Sequence, residues 1–153
     1  MRTMESPHES PALAAATTAP RALRLVYWIS TALFCLQMGF TAYAQLSLPQ
    51  VAEAFAHLGF PAYFRVELAC AKILGVAMLL APVAARVREW AYAGFAINLV
   101  SALLAHLAVG DGPDAWGWAV ATGALWALSY SGWRLSSNAR QGRFFPSKLA
   151  PGL

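Results

Sequence analysis

Four apolar stretches constrain this chain more than any motif in it, each close to the roughly 20 residues a helix needs to cross a bilayer's hydrocarbon core. They run approximately Leu25 to Leu46, Tyr63 to Ala81, Trp90 to Val109 and Ala115 to Arg134. The connections are short: SLPQVAEAFAHLGFPA, then PVAARVRE, then GDGPD, whose Gly and Pro are turn formers. Short connections make consecutive helices antiparallel neighbours. The pattern therefore predicts an all-α integral membrane protein, an antiparallel four-helix bundle over residues 23–135. Composition agrees, since 59% of the 153 residues are hydrophobic and 12% charged, against roughly 25% charged in soluble chains.

Residues 1–22 begin MRTMESPHESPALAAATTAP, rich in Pro, Ser, Thr and Ala without apolar periodicity, and read as an unstructured tail that leaves His8 solvated. Residues 136–153 form a second, basic tail. In TAYAQ, Ala42 and Ala44 make an A-x-A pattern that signal peptidase cuts. The apolar stretch before it is longer than the roughly 7–15 residues of a signal-peptide core and contains Gln37, so it reads as a retained helix. Cys35 and Cys70 sit in apolar stretches outside any CxxC or Cys/His pattern, as small hydrophobes do; they become a redox pair only if two helices bring them together.

The net charge of +4 does not point to nucleic acid, because the basic residues are dispersed beside apolar segments rather than gathered on one accessible face. They serve instead as orientation signals. Arg21 and Arg24 precede the first span, Arg86 and Arg88 occupy the second connection, and Arg134, Arg140, Arg143 and Lys148 follow the fourth. The first and third connections carry no Lys or Arg, only Glu53, His57, Asp111 and Asp114. Both termini are expected in the cytoplasm. Tyr27, Trp28, Tyr63, Trp90, Trp116 and Trp133 lie at the expected borders and fit interfacial belts.

Helix faces carry the functional signal. Ala115, Ala119, Gly123, Ala127 and Ser131 recur every four residues on the last span, a stripe suited to close backbone approach by Gly94, Asn98 and Ala102 of the third. On the first span Ser30, Gln37, Thr41 and Gln45 share one face, which points into the bundle either as interhelical hydrogen-bonders or as the wall of a small polar pocket. The second span carries Arg65, Glu67 and Lys72. Arg65 reaches the outer headgroups and Glu67 complements the helix N-terminus. Lys72 falls near the midplane, where a charge costs roughly 2.5–3.5 kcal/mol on the insertion scale. Its expected options are Glu67, Gln37 or Asn98 as partner, or loss of its proton. His106 ends the third span, as a cation favoured by the helix C-terminus or as an interfacial hydrogen-bonder.

His57, Arg65, Glu67 and His106 thus fall at one depth, with Thr41 and Gln45 nearby and Asp111 and Asp114 above them. The cluster suits a polar or proton-exchanging ligand site built from Lys72, His106, Glu67, Arg65, His57, Gln37, Thr41 and Asn98. No i, i+3 or i, i+4 ligand pair lies on one helix, so no metal site is expected.

From Arg24 to Trp133, through FAHLGFPAYFRVELACAKILG, REWAYAGFAINLVSALLAHLAVGDGP and ALSYSGWR, the chain resembles the DoxX-like family of small four-helix bacterial membrane proteins. The resemblance implies a multi-pass protein of the bacterial inner membrane, related by name to a subunit of thiosulfate- and quinol-linked respiratory systems. The family's Lys in AKILG corresponds to Lys72 and its His in HLAVGDGP to His106; it assigns neither a role. Two functions follow as expectations. One is a quinone-associated redox or respiratory accessory protein, in which Arg65 and His106 hydrogen-bond a quinone carbonyl, Glu67 exchanges its proton and Lys72 sets the pocket charge. The other is a non-catalytic scaffold or assembly factor with a membrane-protein partner or a second copy of itself.

Overall fold

The computed structural model describes residues 11–144, with side chains over residues 21–137. Among the described residues the fold is all-α, with five helices and no strand: α1 (Pro11–Ser47), α2 (Pro49–His57), α3 (Ala62–Leu80), α4 (Ala85–Ala108) and α5 (Pro113–Phe144). The expected spans fall on α1, α3, α4 and α5, the second overrunning α3 by Ala81 and the third overrunning α4 by Val109. Helix α1 begins upstream of Leu25, in a run whose alanines are strong helix formers. Residues 1–10 and 145–153 of the two expected tails lie outside the described residues, as do the side chains of Arg140, Arg143 and Lys148. Among the described residues two helices, Arg21–Ser47 of α1 and Ala85–Ala108, are long and apolar enough to cross a membrane. Helix α3 is diluted by Arg65, Glu67 and Lys72, and α5 by Gly, Ser and Thr.

Helix α2 was not among the expected elements, although its signals are in the first connection. Pro49 supplies a preset φ at the first turn. Val51, Phe55 and Leu58 follow at helical spacing, and Gly59 stops the helix with φ 80°. Phe60 N–H donates to Phe55 O at 2.9 Å and Gly59 N–H to Ala56 O at 3.0 Å, the paired bonds of a Schellman motif. The end of α4 repeats this device: Gly110 has φ 78°, Asp111 N–H donates to His106 O at 3.0 Å, and Gly110 N–H to Leu107 O at 3.2 Å. A side chain at either glycine would be strained.

Each long helix touches two others: α1 lies against α3 and α5, and α4 closes the ring against the same two. At one end Arg88 donates to Ala81 O at 3.0 Å and Arg134 to Glu89 at 2.9 Å. These contacts gather the start of α4, the end of α3 and the later part of α5. The start of α1 joins them, because a Cβ on Gly132 would stand 3.0 Å from that of Tyr27. The core fills this half. Tyr27, Phe34, Cys35, Met38, Leu79, Ala91, Tyr92, Phe95 and Trp133 form one buried cluster. Tyr27 and Trp133, expected at an interface, are core residues at 6% and 7% exposure. Through the cluster runs a short polar chain. Ser129 Oγ lies 2.7 Å from both Thr31 Oγ1 and Tyr92 OH, while Trp126 Nε1 donates to Tyr92 O at 3.0 Å. It ties α1, α4 and α5 together in an apolar setting, where unmade hydrogen bonds are costly.

Candidate functional site: a cavity beneath α2

Beyond the core, toward α2, the long helices no longer fill the space between them. A cavity of about 560 Å³ lies there, walled by α1, α3, α4 and α5 and covered by α2 with the turn after it. Small residues create it. Gly94, Ala102, Ala115 and Ala119 line its wall, and a Cβ added at Gly94 or Gly123 would meet nothing within 4 Å. Of the small-residue stripe expected to bring α5 into backbone contact with α4, Ala115 and Ala119 border the cavity with Gly94, Asn98 and Ala102, while Ala127 and Ser131 are exposed. Close approach occurs elsewhere, at Gly75 against Phe95 and at Gly132 against Tyr27.

The cover is aromatic: Phe55 of α2, Phe60 of the turn and Phe64 of α3 form a run, with Phe60 and Phe64 stacked at 4.9 Å. Polar groups are few and come from the walls. Gln37, Thr41 and Gln45 project from α1, Lys72 from α3, and Asn98, Ser101 and His106 from α4. Thr41 satisfies its hydroxyl on its own helix by donating to Met38 O at 3.0 Å. Ser30, expected on the same face, does likewise with Val26 O at 2.7 Å and lies outside the cavity. Gln45 Oε1 is buried without a hydrogen-bond partner. Lys72 is 8% exposed and takes part in none of the described ion pairs. None of the three expected partners, Glu67, Gln37 or Asn98, engages it among the described residues, and Lys72 lines the cavity.

Five of the eight expected site residues therefore meet at this cavity: Gln37, Thr41, Lys72, Asn98 and His106. The other three do not. Arg65 turns to the end of α1, where its guanidinium donates to the Gln45 carbonyl and so covers one of the orphan acceptors of a helix C-terminus. Glu67 is exposed on the outer side of α3. That placement follows from its position around the axis, about 140° from Lys72 at about 100° per residue. His57 is at the rim, with 60% of its side chain exposed.

His57 and His106 are nevertheless joined, through a residue expected only to stand above the site. Asp111 accepts from His106 Nδ1 at 2.6 Å on Oδ2 and from His57 Nε2 at 2.9 Å on Oδ1. An ionised carboxylate only accepts, so both ring nitrogens carry the proton toward it. Local structure explains the meeting. The Schellman turn after α4 brings Asp111 back over His106, and the one after α2 leaves His57 as the last helical residue beside it. The hydrogen bonds from His106 and then His57 hold the Asp111 carboxyl below the usual carboxylate range. The clasp fastens the end of α2, and with it the cavity's cover, to the α4–α5 turn.

Cys35 is buried and Cys70 exposed, both as free thiols, so these helices do not bring them together.

The arrangement suits a ligand with an apolar body and one or two polar atoms. Volumes of roughly 300–1,000 Å³ lined mostly by apolar side chains with a few fixed polar groups are typical of small-molecule sites. No curated protein and no solved structure matches the chain. The sequence profile of the DoxX-like family matches residues 29–129, which take in all the cavity's walls and the polar chain of the core. The chain belongs to the DoxX-like family.

Proposed function

We propose that the chain is an integral membrane protein of four antiparallel spans that binds a quinone or quinol headgroup in the cavity beneath α2. Support for the membrane setting comes from the outer surface. Leu36 and Phe40 of α1, Ile73 of α3, Ile97 and Leu104 of α4 and Leu128 of α5 are all more than half exposed. Apolar exposure on every long helix is what lipid, not water, accommodates. Arg86, Arg88 and Arg134 gather at the end remote from the cavity, with Arg21 and Arg24 at the start of α1. By the positive-inside rule this end faces the cytoplasm and the cavity lies on the opposite side of a bacterial inner membrane.

The observation that carries the ligand assignment is that Lys72, which none of the described hydrogen bonds or ion pairs engages, lines a mostly apolar cavity together with Gln45, whose Oε1 is buried without a hydrogen-bond partner. A quinone carbonyl accepts from Lys72 or Asn98, and a quinol hydroxyl donates to Gln45; the flat ring suits the Phe55, Phe60 and Phe64 cover. This differs from the assignment expected for Arg65 and Glu67, which have no place in it. His106 remains, with Asp111 behind it, as the group through which a bound quinol exchanges a proton with the rim.

Titration of the purified protein in detergent with a short-chain benzoquinone tests this. Saturable binding is expected in wild type, weakened about tenfold or more in Lys72→Met, the equivalent of about 1.4 kcal/mol. Wild type without saturable binding, or equal binding in both proteins, sinks the assignment. Recovery of a stoichiometric protein partner with the cavity empty would favour the scaffold function instead.

A further inference from the structure

A second cavity of about 310 Å³ lies in the cleft between α3 and α4, the pair of neighbouring long helices in sparsest contact. It shares four wall residues with the first: Leu68, Lys72, Gly94 and Asn98. These two spaces are neighbours across a thin wall in which Gly94 contributes no side chain. Both linings are mostly apolar, and they differ in how many polar residues they carry. All the other polar groups, Gln37, Thr41, Gln45, Ser101, Thr122 and His106, line the central cavity alone. In the cleft the two shared residues, Lys72 and Asn98, are the only polar ones, and the remainder includes Leu74, Met78, Trp90 and Phe95. Leu74 and Trp90 are exposed on the outer surface, at 57% and 75%, so the cleft opens where lipid would lie.

A central cavity with eight polar wall residues, a boundary where Lys72 and Asn98 are shared, then a cleft with those two alone that opens to the side: this layout suits an amphipathic molecule with a single hydrocarbon chain. We propose that the α3–α4 cleft is the tail channel and lateral access route for a single-chain lipid whose head occupies the central cavity, with Lys72 and Asn98 at the junction of head and tail. A cleft of about 310 Å³ accommodates part of one chain and not a diacyl pair. The head as quinone rests on the function proposed above. The route of the tail rests on the shared wall and on the opening of the cleft to the outer surface.

The test compares a tailless benzoquinone with its decyl derivative, on wild type and on Ala71→Phe. Ala71 is an exposed residue that lines the cleft and not the central cavity. Wild type is expected to bind the decyl form at least about tenfold more tightly, since each buried methylene adds affinity. Ala71→Phe should remove most of that advantage while binding the tailless form as wild type does. A diazirine at the end of the decyl chain should label Met78 or Trp90. A tail advantage that survives Ala71→Phe, or labelling at Phe55 or Phe60 beneath α2, overturns the route. If wild type binds neither quinone, the function proposed above fails, and a decanol carrying the same diazirine decides the route. Labelling of Met78 or Trp90 upholds it, and labelling elsewhere overturns it.

Discussion

His106 and Asp111 bond to each other twice, once through the backbone, Asp111 N–H to His106 O at 3.0 Å, and once through side chains at 2.6 Å. The first bond belongs to the Schellman turn that ends α4; the second fixes the imidazole in the cavity wall, and the other Asp111 oxygen holds His57. Asp111→Asn should therefore loosen α2 without unfolding the long helices. Hydrogen exchange in Val51 to His57 is expected to quicken while that in α4 stays slow; equal protection of α2 in variant and wild type would show that the clasp does not fasten it.

The same clasp sets a pH dependence. Because hydrogen bonds from His106 and His57 lower the Asp111 pKa in the folded chain, the unfolded chain binds more protons across this range and stability rises with pH. The contribution is complete above the unfolded carboxyl value of about 3.9 and lost as pH falls through the depressed folded value. Thermal unfolding in detergent across this acid window should fall more steeply for wild type than for Asp111→Asn. Parallel curves would remove Asp111 from the account.

Lys72 leads to an opposite pair of effects. An ammonium buried without a partner destabilises the fold, and an apolar side chain of similar length does not. Lys72→Met should raise the unfolding temperature, by about 2–4 °C for each kcal/mol recovered in a chain of this size, while it weakens ligand binding. A variant less stable than wild type would mean that Lys72 has a structural partner after all.

Ser129 is the node of the core's polar chain, within 2.7 Å of both Thr31 and Tyr92. Ser129→Ala strands two buried hydroxyls at once. A cost of about 1–3 kcal/mol for each is expected, and Thr31→Val combined with Ser129→Ala should cost less than the sum of the two single changes. Strict additivity would show that the hydroxyls do not act as a chain.

How much of this was legible in the sequence depends on whether the signal is local. The four long helices were, because apolar length and turn residues are properties of contiguous chain. Lys72 was, because a charge in an apolar run is conspicuous wherever the helix goes. The role of Asp111 was not: it depends on two Schellman turns, after α2 and after α4, meeting in space. Thr31 and Ser129 are 98 residues apart and look like ordinary small polar residues of a membrane segment. Arg65, Glu67 and His57 were expected at one depth, but depth does not give rotation, and rotation decides which side chains reach the cavity. Small residues are the most ambiguous of all, since the same Gly or Ala permits close packing or leaves a hole.

That ambiguity yields the last prediction. Gly75 and Gly94 both lie near the α3–α4 boundary, yet an added Cβ at Gly75 would stand 2.6 Å from Phe95 Cζ, whereas at Gly94 it would meet nothing within 4 Å. Phe95 is 3% exposed and packed edge-on against Phe34 at 5.0 Å between ring centres, so making room would cost that contact and push the ring toward the cleft it lines. Gly75→Ala should therefore cost about 1–3 kcal/mol through overpacking, outweighing the gain in helix propensity of about 1 kcal/mol. Gly94→Ala keeps that gain and should be neutral or stabilising. Unfolding temperatures of the two variants, measured side by side, should bracket wild type; the reverse order would mean that the hollow and the packed halves of the interior have been assigned the wrong way round.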